Sequence, residues 1–168
     1  PIRCAKISAL GCYTPPRLLT NPDLQRLVDT SDQWILARTG IRQRHIADPE
    51  VATSDLATEA ARAALLQRGI DATEVDAIIV CTVTPDMFFP ATACLVQHNL
   101  GAKGCWGFDM IAACSGFLYG MTTGVHLVAA GTHRRVLVIG ADTMSRIVDY
   151  TDRATCVLFG DGAGAVLL

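Results

Sequence analysis

Cys114 stands in the run Trp106-Gly-Phe-Asp-Met-Ile-Ala-Ala-Cys114-Ser-Gly-Phe-Leu-Tyr-Gly-Met121, where a strand pattern gives way to a helix pattern. A thiol on the first turn of a helix faces backbone N–H groups that lack an intrahelical partner and the positive end of the helix dipole. Both favour the thiolate, the form that attacks an acyl carbon. Ser115 and Gly116 are small enough to admit a thioester to the sulfur, and Phe117 and Leu118 begin the apolar face of the helix. A cysteine among apolar residues is also a common small core residue, so local context leaves nucleophile and core packing both open.

Other side chains could carry chemistry. Arg38, Arg42 and Arg44 follow one helical segment closely, in a chain whose only lysines are Lys6 and Lys103. Guanidinium groups suit bidentate contacts to phosphate, and a solvated turn carrying three charges is the alternative. His45, His98, His126 and His133 fall in no catalytic pattern and read as surface or helix histidines, since a catalytic base needs a defined partner. The 7 cysteines are odd in number, irregularly spaced and without a CxxC pair. That argues against a disulfide framework and a structural zinc site, and fits a reducing cytosol.

The elements that must position these residues alternate along the chain. At 168 residues there is material for one domain with a sizeable core, and a net charge of −2 with scattered cations gives no case for nucleic acid. No apolar run has the length of a membrane span, and Pro1-Ile2-Arg3 opens into a strand-like run without the basic-then-apolar pattern of a secretory leader. Ala5–Leu10, Asp76–Val83, Trp106–Ile111 and Arg135–Ala141 read as strands. Between them, a helix spans Ser54–Arg68 with Ser54 as its cap and Gly69 as its stop. A second spans Pro90–Leu100 and ends at Gly101, and a third spans Ser115–Ala130 and ends at Gly131. Two shorter helical pieces, opening at Asn21-Pro22-Asp23 and covering Ser31–Gly40, break the alternation early. Strand alternating with helix implies parallel strands with helices on the faces, an α/β domain. At the end, Cys156–Phe159 and Ala163–Leu168 read as two strands of a hairpin turning on Gly160-Asp161-Gly162. The second strand stops mid-run, and an exposed apolar edge invites aggregation. The expectation is a chain that belongs to a longer one, or an edge that a partner covers.

Six segments resemble the β-ketoacyl-acyl carrier protein synthase III family, the initiating condensing enzymes of type II fatty-acid synthesis. They are Asp29-Thr-Ser-Asp-Gln-Trp34, Arg38-Thr-Gly-Ile-Arg42-Gln-Arg44, Thr84-Pro-Asp-Met-Phe-Phe89-Pro90, Ala112-Ala-Cys114-Ser-Gly-Phe117, Asp152-Arg153 and Phe159-Gly-Asp-Gly-Ala-Gly-Ala165. Each is weak alone; all six in order, with the expected gaps, are specific. The resemblance implies an α/β thiolase-like fold, with residues 1–168 as its N-terminal half-domain: a mixed β-sheet with helices on both faces, pairing with a similar C-terminal half that this chain lacks. It implies that Cys114 accepts an acyl group from acyl-CoA and yields it to the enolate made by decarboxylating malonyl-acyl carrier protein. Trp34 and Arg153 are implied to hold the adenine of CoA between them, with the Thr30 hydroxyl beside it and Arg38 near the phosphates. Phe89 is implied to reach across a twofold homodimer interface into the partner's acyl pocket, and Phe159 to wall that pocket. The histidine and asparagine that assist decarboxylation lie, by the same resemblance, in the second half. No cofactor or metal is expected, acyl-CoA being a substrate; no nucleic acid or membrane partner is expected, and the location is cytoplasmic. The alternatives are a related condensing enzyme of secondary metabolism and a non-catalytic half-domain.

Overall fold

The computed structural model describes residues 4–168; Pro1–Arg3, on which the expectation about a secretory leader rests, lie outside the described residues. The elements in chain order are β1 (Ala9–Tyr13), β2 (Leu18–Thr20), α1 (Asn21–Leu24), α2 (Asp32–Thr39), β3 (Gln43–His45), α3 (Thr53–Arg68), β4 (Ala77–Cys81), α4 (Thr92–Leu100), β5 (Trp106–Met110), α5 (Gly116–Ala129), β6 (Val136–Thr143), α6 (Arg153–Cys156) and β7 (Asp161–Leu167). Five strands form one sheet in the order β1-β7-β6-β4-β5. β4 runs parallel to β5 and β6, and β7 runs antiparallel to both β6 and β1. The sheet is therefore mixed, as the resemblance implies.

Both faces are covered, which is why β4 is an unbroken apolar run with every residue buried. Ile78, Val80, Leu137 and Ile139 point to one face, where the alanines of α3 and Ala93 and Val96 of α4 meet them. Ile79, Cys81, Val136 and Val138 point to the other, beneath Phe117, Met121 and Leu127 of α5. Close approach sets the glycines. A Cβ on Gly11 would lie 2.1 Å from the Ala60 carbonyl oxygen, so only glycine lets β1 lie on α3. The only buried residues of α5 are Gly116, Gly120 and Gly124, one turn apart, and the helix sinks onto the sheet along that stripe.

Several boundaries differ from the sequence reading. The first strand is Ala9–Tyr13, not Ala5–Leu10: Gly11 extends it by packing on α3, although the Ser8 N–H still donates to the Leu167 carbonyl at 2.8 Å. α3 starts at Thr53 and Ser54 is not its cap. The Asp55 carboxylate accepts from the Ala52 N–H at 2.8 Å, while the Ser54 N–H donates to Asp86 Oδ1 at 2.8 Å. α4 starts at Thr92, past Pro90, because the Asp109 carboxylate accepts from the Thr92 and Ala93 N–H groups at 2.6 and 2.8 Å. The terminal hairpin does not exist. Cys156 closes α6, whose start is capped by Asp152, and Cys156 and Val157 are buried against Leu24 and Ile35. Gly160-Asp161-Gly162 leads straight into β7, since Asp161 turns inward to accept from the Ala47 N–H at 2.7 Å and the Ser145 N–H at 2.8 Å. β7 lies between β1 and β6, so the strand ending at Leu168 is no exposed edge, and Leu168 is 6% exposed. The edge strands of this sheet are β1 and β5, while β2 and β3 pair apart as a two-stranded antiparallel sheet.

Candidate active site

The parallel strands β4, β5 and β6 end together, Cys81 standing level with Met110 and with Gly140. Three connections leave from that end: Thr82–Ala91 after β4, Ile111–Ser115 after β5, and the stretch from Met144 that returns as β7, Asp161 lying opposite Thr143. β1 also finishes there, with Tyr13 opposite Ala163, so the chain from Thr14 to the start of α3 is delivered to the same end. Ligands in open α/β sheets bind outside the carboxyl ends of parallel strands. Thr30, Trp34, Arg38, Phe89, Cys114, Arg153 and Phe159 all lie on these connections.

Cys114 sits in a one-turn 3₁₀ segment, Ala113–Ser115, immediately before α5 rather than on the helix's own first turn. Its side chain is exposed, and Ile111, Leu118 and Tyr119 around it are exposed too, Ile111 to 71%. Three other thiols are buried. The Cys81 thiol, pressed under Gly120 of α5, is pushed up to about 11 by burial, with the Gly120 backbone pulling the other way. Burial likewise pushes the Cys105 and Cys156 thiols up. Cys4 and Cys12 are exposed, but lie before and on β1.

The loop after β4 is held from below and bare at its tip. Asp142 Oδ1 accepts four bonds: from Thr82 Oγ1 at 2.9 Å, Val83 N–H at 2.8 Å, Thr84 N–H at 3.2 Å and Thr84 Oγ1 at 3.0 Å. The Thr53 hydroxyl donates to the Thr84 carbonyl at 2.6 Å. Beyond this anchor the chain presents Met87, Phe88 and Phe89 outward, the two phenylalanines 105% and 87% exposed. A hollow of about 430 Å³ lies beside the loop, lined by Thr53, Val83, Met87, Phe88, Arg146 and Ile147 among others.

Trp34 is placed by a capped helix: Ser31 Oγ accepts from its N–H at 3.1 Å, and Gly40 ends α2 with φ 72°. The indole rests partly on the cluster of Leu24, Ile35 and Cys156, and two cations flank it. Arg153 Cζ is 4.5 Å and Arg38 Cζ 5.5 Å from the ring centroid. Thr30 Oγ1, one residue before the cap, is buried without a hydrogen-bond partner among the described residues. Phe159 is exposed just past α6.

One candidate is corrected. Arg44 is 3% exposed and cannot join Arg38 and Arg42 as a phosphate ligand; it donates to Asn21 Oδ1 and to the Val157 carbonyl, tying α1 to the segment after α6. Burial lowers the affinity of its guanidinium for its proton. The histidines serve local ends. His45 Nδ1 donates to the Pro15 carbonyl at 2.5 Å, His126 Nδ1 to the Thr122 carbonyl at 2.7 Å, and His133 Nε2 accepts from Trp106 Nε1–H at 2.8 Å, while His98 is exposed on α4. The structure thus brings Trp34, Arg38 and Arg153 together, and places Cys114 and Phe89 on neighbouring connections. Sequence reasoning missed Asp142 and Asp161; each opens or closes a strand among small residues, which is the signal a buried acceptor leaves. Among the described residues, no cluster of three His, Cys, Asp or Glu side chains could hold a metal, and no helix is long and apolar enough to cross a membrane.

The family model of 3-oxoacyl-[acyl-carrier-protein (ACP)] synthase III matches residues 108–168. The β-ketoacyl-[acyl-carrier-protein] synthase III of Solibacter usitatus is 79% identical over 164 residues, which cover 98% of this chain and 50% of that protein. The crystal structure of 3-oxoacyl-[acyl-carrier-protein] synthase III from Aquifex aeolicus superimposes with a TM-score of 0.94 at 51% identity, over 96% of this chain and 52% of that one. The priming β-ketosynthase of the R1128 polyketide biosynthetic pathway superimposes with a TM-score of 0.96 at 36% identity, over 99% and 50%. The chain spans about half the length of the curated relatives it matches. Its mixed sheet with helices on both faces is the N-terminal half of a thiolase-like fold.

Proposed function

We propose that this chain, which belongs to the β-ketoacyl-[acyl-carrier-protein] synthase III family over the N-terminal half of its relatives, is the acyl-accepting half of an initiating condensing enzyme. The observation that carries this reading is the contrast among thiols. Cys114 is exposed on the turn that joins β5 to α5, at the carboxyl end of the sheet, while Cys81, Cys105 and Cys156 are buried and held protonated. The Cys114 thiolate attacks the thioester carbon of acetyl-CoA or another short acyl-CoA; a C–S bond forms and the CoA sulfur leaves as its thiolate. Malonyl-acyl carrier protein then loses carbon dioxide, its enolate carbon bonds to the acyl carbon, and the Cys114 thiolate departs. Groups beyond this chain supply the donors for the malonyl carbonyl, so condensation requires the remaining half.

Trp34 offers a stacking face to the adenine of CoA with Arg153 on its other side, Arg38 stands near the phosphates, and the Thr30 hydroxyl, unpartnered among the described residues, gains a partner when the base arrives. Phe89 enters the acyl pocket of a second copy across a twofold axis. Its exposure supports this, as does the free edge of β5, which pairs with β4 alone. Phe159 walls the pocket. No resident cofactor is needed, and the reaction belongs to the cytoplasm. The likeness to a polyketide priming ketosynthase keeps one second reading, the same acyl-Cys114 step with an acceptor of secondary metabolism.

The test is incubation with labelled acetyl-CoA followed by tryptic mapping of the protein carrying this chain. Label on the Cys114 peptide is the expected result, and label on Cys4, Cys12 or Cys81 instead sinks the assignment. Product analysis with malonyl-acyl carrier protein against other acceptors separates the two readings.

A further inference from the structure

Among the described residues, Ala113 is the one non-glycine residue with a positive φ, at 45°. An L-residue resists this left-handed region because its Cβ crowds the following carbonyl oxygen. Elsewhere the chain uses glycine for such backbone: Gly40, Gly69 and Gly101 close α2, α3 and α4 with φ near 70°. Only beside the exposed thiol does it use a residue with a Cβ. Ala112 also stands outside the regular regions, with φ −149° and ψ 27°, so the chain turns through two irregular residues between the end of β5 and Cys114. Hydrogen bonds close the corner from both sides. The Ser115 N–H donates to the Ala112 carbonyl at 3.1 Å, and the Gly116 N–H donates to the Ala113 carbonyl. Beneath it, a Cβ on Gly116 would stand at ordinary contact distance from Cys81 Cβ, at 3.6 Å, and from Ala112 Cβ, at 3.9 Å, so α5 begins close over the end of β4.

We propose that Ala113 is a positioning residue whose left-handed backbone aims Cys114 out of the strand-to-helix corner. The inference rests on the reading of Cys114 as the acyl acceptor. A change of Ala113 to negative φ would rotate the following peptide and, with it, the Cα–Cβ bond of Cys114. The two hydrogen bonds that close the corner hold this turn, so the closed corner and the aimed thiol form together. Glycine at this position would reach the same φ without resistance but would also reach others, and the thiol would lose its single direction. Asparagine tolerates the left-handed region while keeping a Cβ.

The test compares A113G and A113N in the protein carrying this chain together with its remaining half. For A113G, the rate of acetyl transfer to Cys114 at saturating acetyl-CoA should fall about tenfold or more, with CoA affinity unchanged. For A113N, transfer should stay within about twofold of the parent, because the backbone is kept. A folded A113G that acylates at the parental rate overturns the proposal, and so does a folded A113N as slow as A113G is expected to be. A general loosening would instead weaken CoA binding and lower the melting temperature in step with the rate. If acetyl-CoA places no label on Cys114 in the parent, the acyl-acceptor reading itself has failed. The aiming of the thiol is then read from iodoacetamide alkylation of Cys114, which should still be slower in A113G than in A113N; equal rates would overturn it.

Discussion

Arg153 Cζ lies 4.5 Å from the centroid of the Trp34 ring, in the space that a base stacked on that ring would take. A purine between two flat groups needs about 3.5 Å on each side, so about 7 Å between them; if CoA binds here as proposed, the guanidinium must swing away to admit it. Little opposes that swing: Arg153 is exposed, and it forms no ion pair among the described residues.

The two residues should therefore contribute unequally to CoA affinity. Trp34→Ala removes the stacking face and should cost on the order of 1–3 kcal/mol of binding. Trp34→Phe keeps part of the stack and most of the packing against Leu24 and Ile35, and should lose less. Arg153→Ala removes an exposed cation that also covers the ring, and should cost no more than about 1 kcal/mol. Calorimetry of CoA binding orders the three variants, and an unchanged affinity in Trp34→Ala would limit Trp34 to packing against Leu24 and Ile35.

A second prediction concerns pH. The Cys81 thiol ionises near its ordinary value of 9.0 in the unfolded chain and at about 11 in the fold, because burial penalises the thiolate. A group raised in this way stabilises the fold fully below 9.0, and the contribution is lost as pH rises from 9.0 through about 11. Cys105, Cys156 and Tyr150 are raised by burial as well and add to the same alkaline loss. Urea unfolding should show stability falling across this window, by up to roughly 3 kcal/mol for Cys81 alone. Cys81→Ala should flatten the slope, and a parallel slope in that variant would remove Cys81 from the account.

The third prediction tests the seat of α5. A Cβ on Gly120 would lie 2.5 Å from Cys81 Sγ and 3.1 Å from Val138 Cγ1. Gly120→Ala should thus destabilise by about 1–3 kcal/mol through overpacking, despite a helix preference for alanine of about 1 kcal/mol. Removing the obstructing sulfur should relieve it, so that Gly120→Ala costs less in a Cys81→Ala background than in the parent. Additive costs in a double-mutant cycle would mean that the clash lies elsewhere.

What the sequence disclosed was what depends on local pattern. The buried strands announced themselves as apolar runs, α2 and α3 by the glycines that end them, and the corner at Cys114 by the change of period around it. The errors arose where a distant group decided the outcome. α4 begins where Asp109 caps it, α3 where Asp55 and Asp86 take up its first N–H groups, and the presumed turn at Asp161 is a strand start because Ala47 and Ser145 draw the carboxylate inward. Arg44 reads as one of three clustered cations, yet Asn21 and Val157, far apart in the chain, bury it. The left-handed φ of Ala113 left no trace in composition, since alanine is the residue that hides such a corner.

The last prediction addresses the loop that carries Phe89. Asp142 Oδ1 alone receives two hydroxyls and two backbone N–H groups from Thr82, Val83 and Thr84. Asparagine retains an oxygen at that position, so Asp142→Asn should weaken these bonds without abolishing them. Asp142→Ala leaves the hydroxyls of the buried Thr82 and Thr84 without their acceptor, at about 1–3 kcal/mol for each one left unsatisfied, while the Thr84 N–H keeps Thr82 Oγ1 at 3.0 Å. The anchor would then fail while the sheet, held by its own core, persists. Hydrogen exchange should show loss of protection confined to Val83, Thr84 and Thr143, whose N–H donates to Thr84 Oγ1 at 2.8 Å, while the Thr82 N–H stays on the Met110 carbonyl. If Phe89 works by entering a second copy, dimer affinity should fall in Asp142→Ala together with that protection, and should hold in Asp142→Asn. Protection lost with dimerisation intact would separate the anchor from the proposed interface, and unaltered exchange would show that Asp142 does not hold the loop.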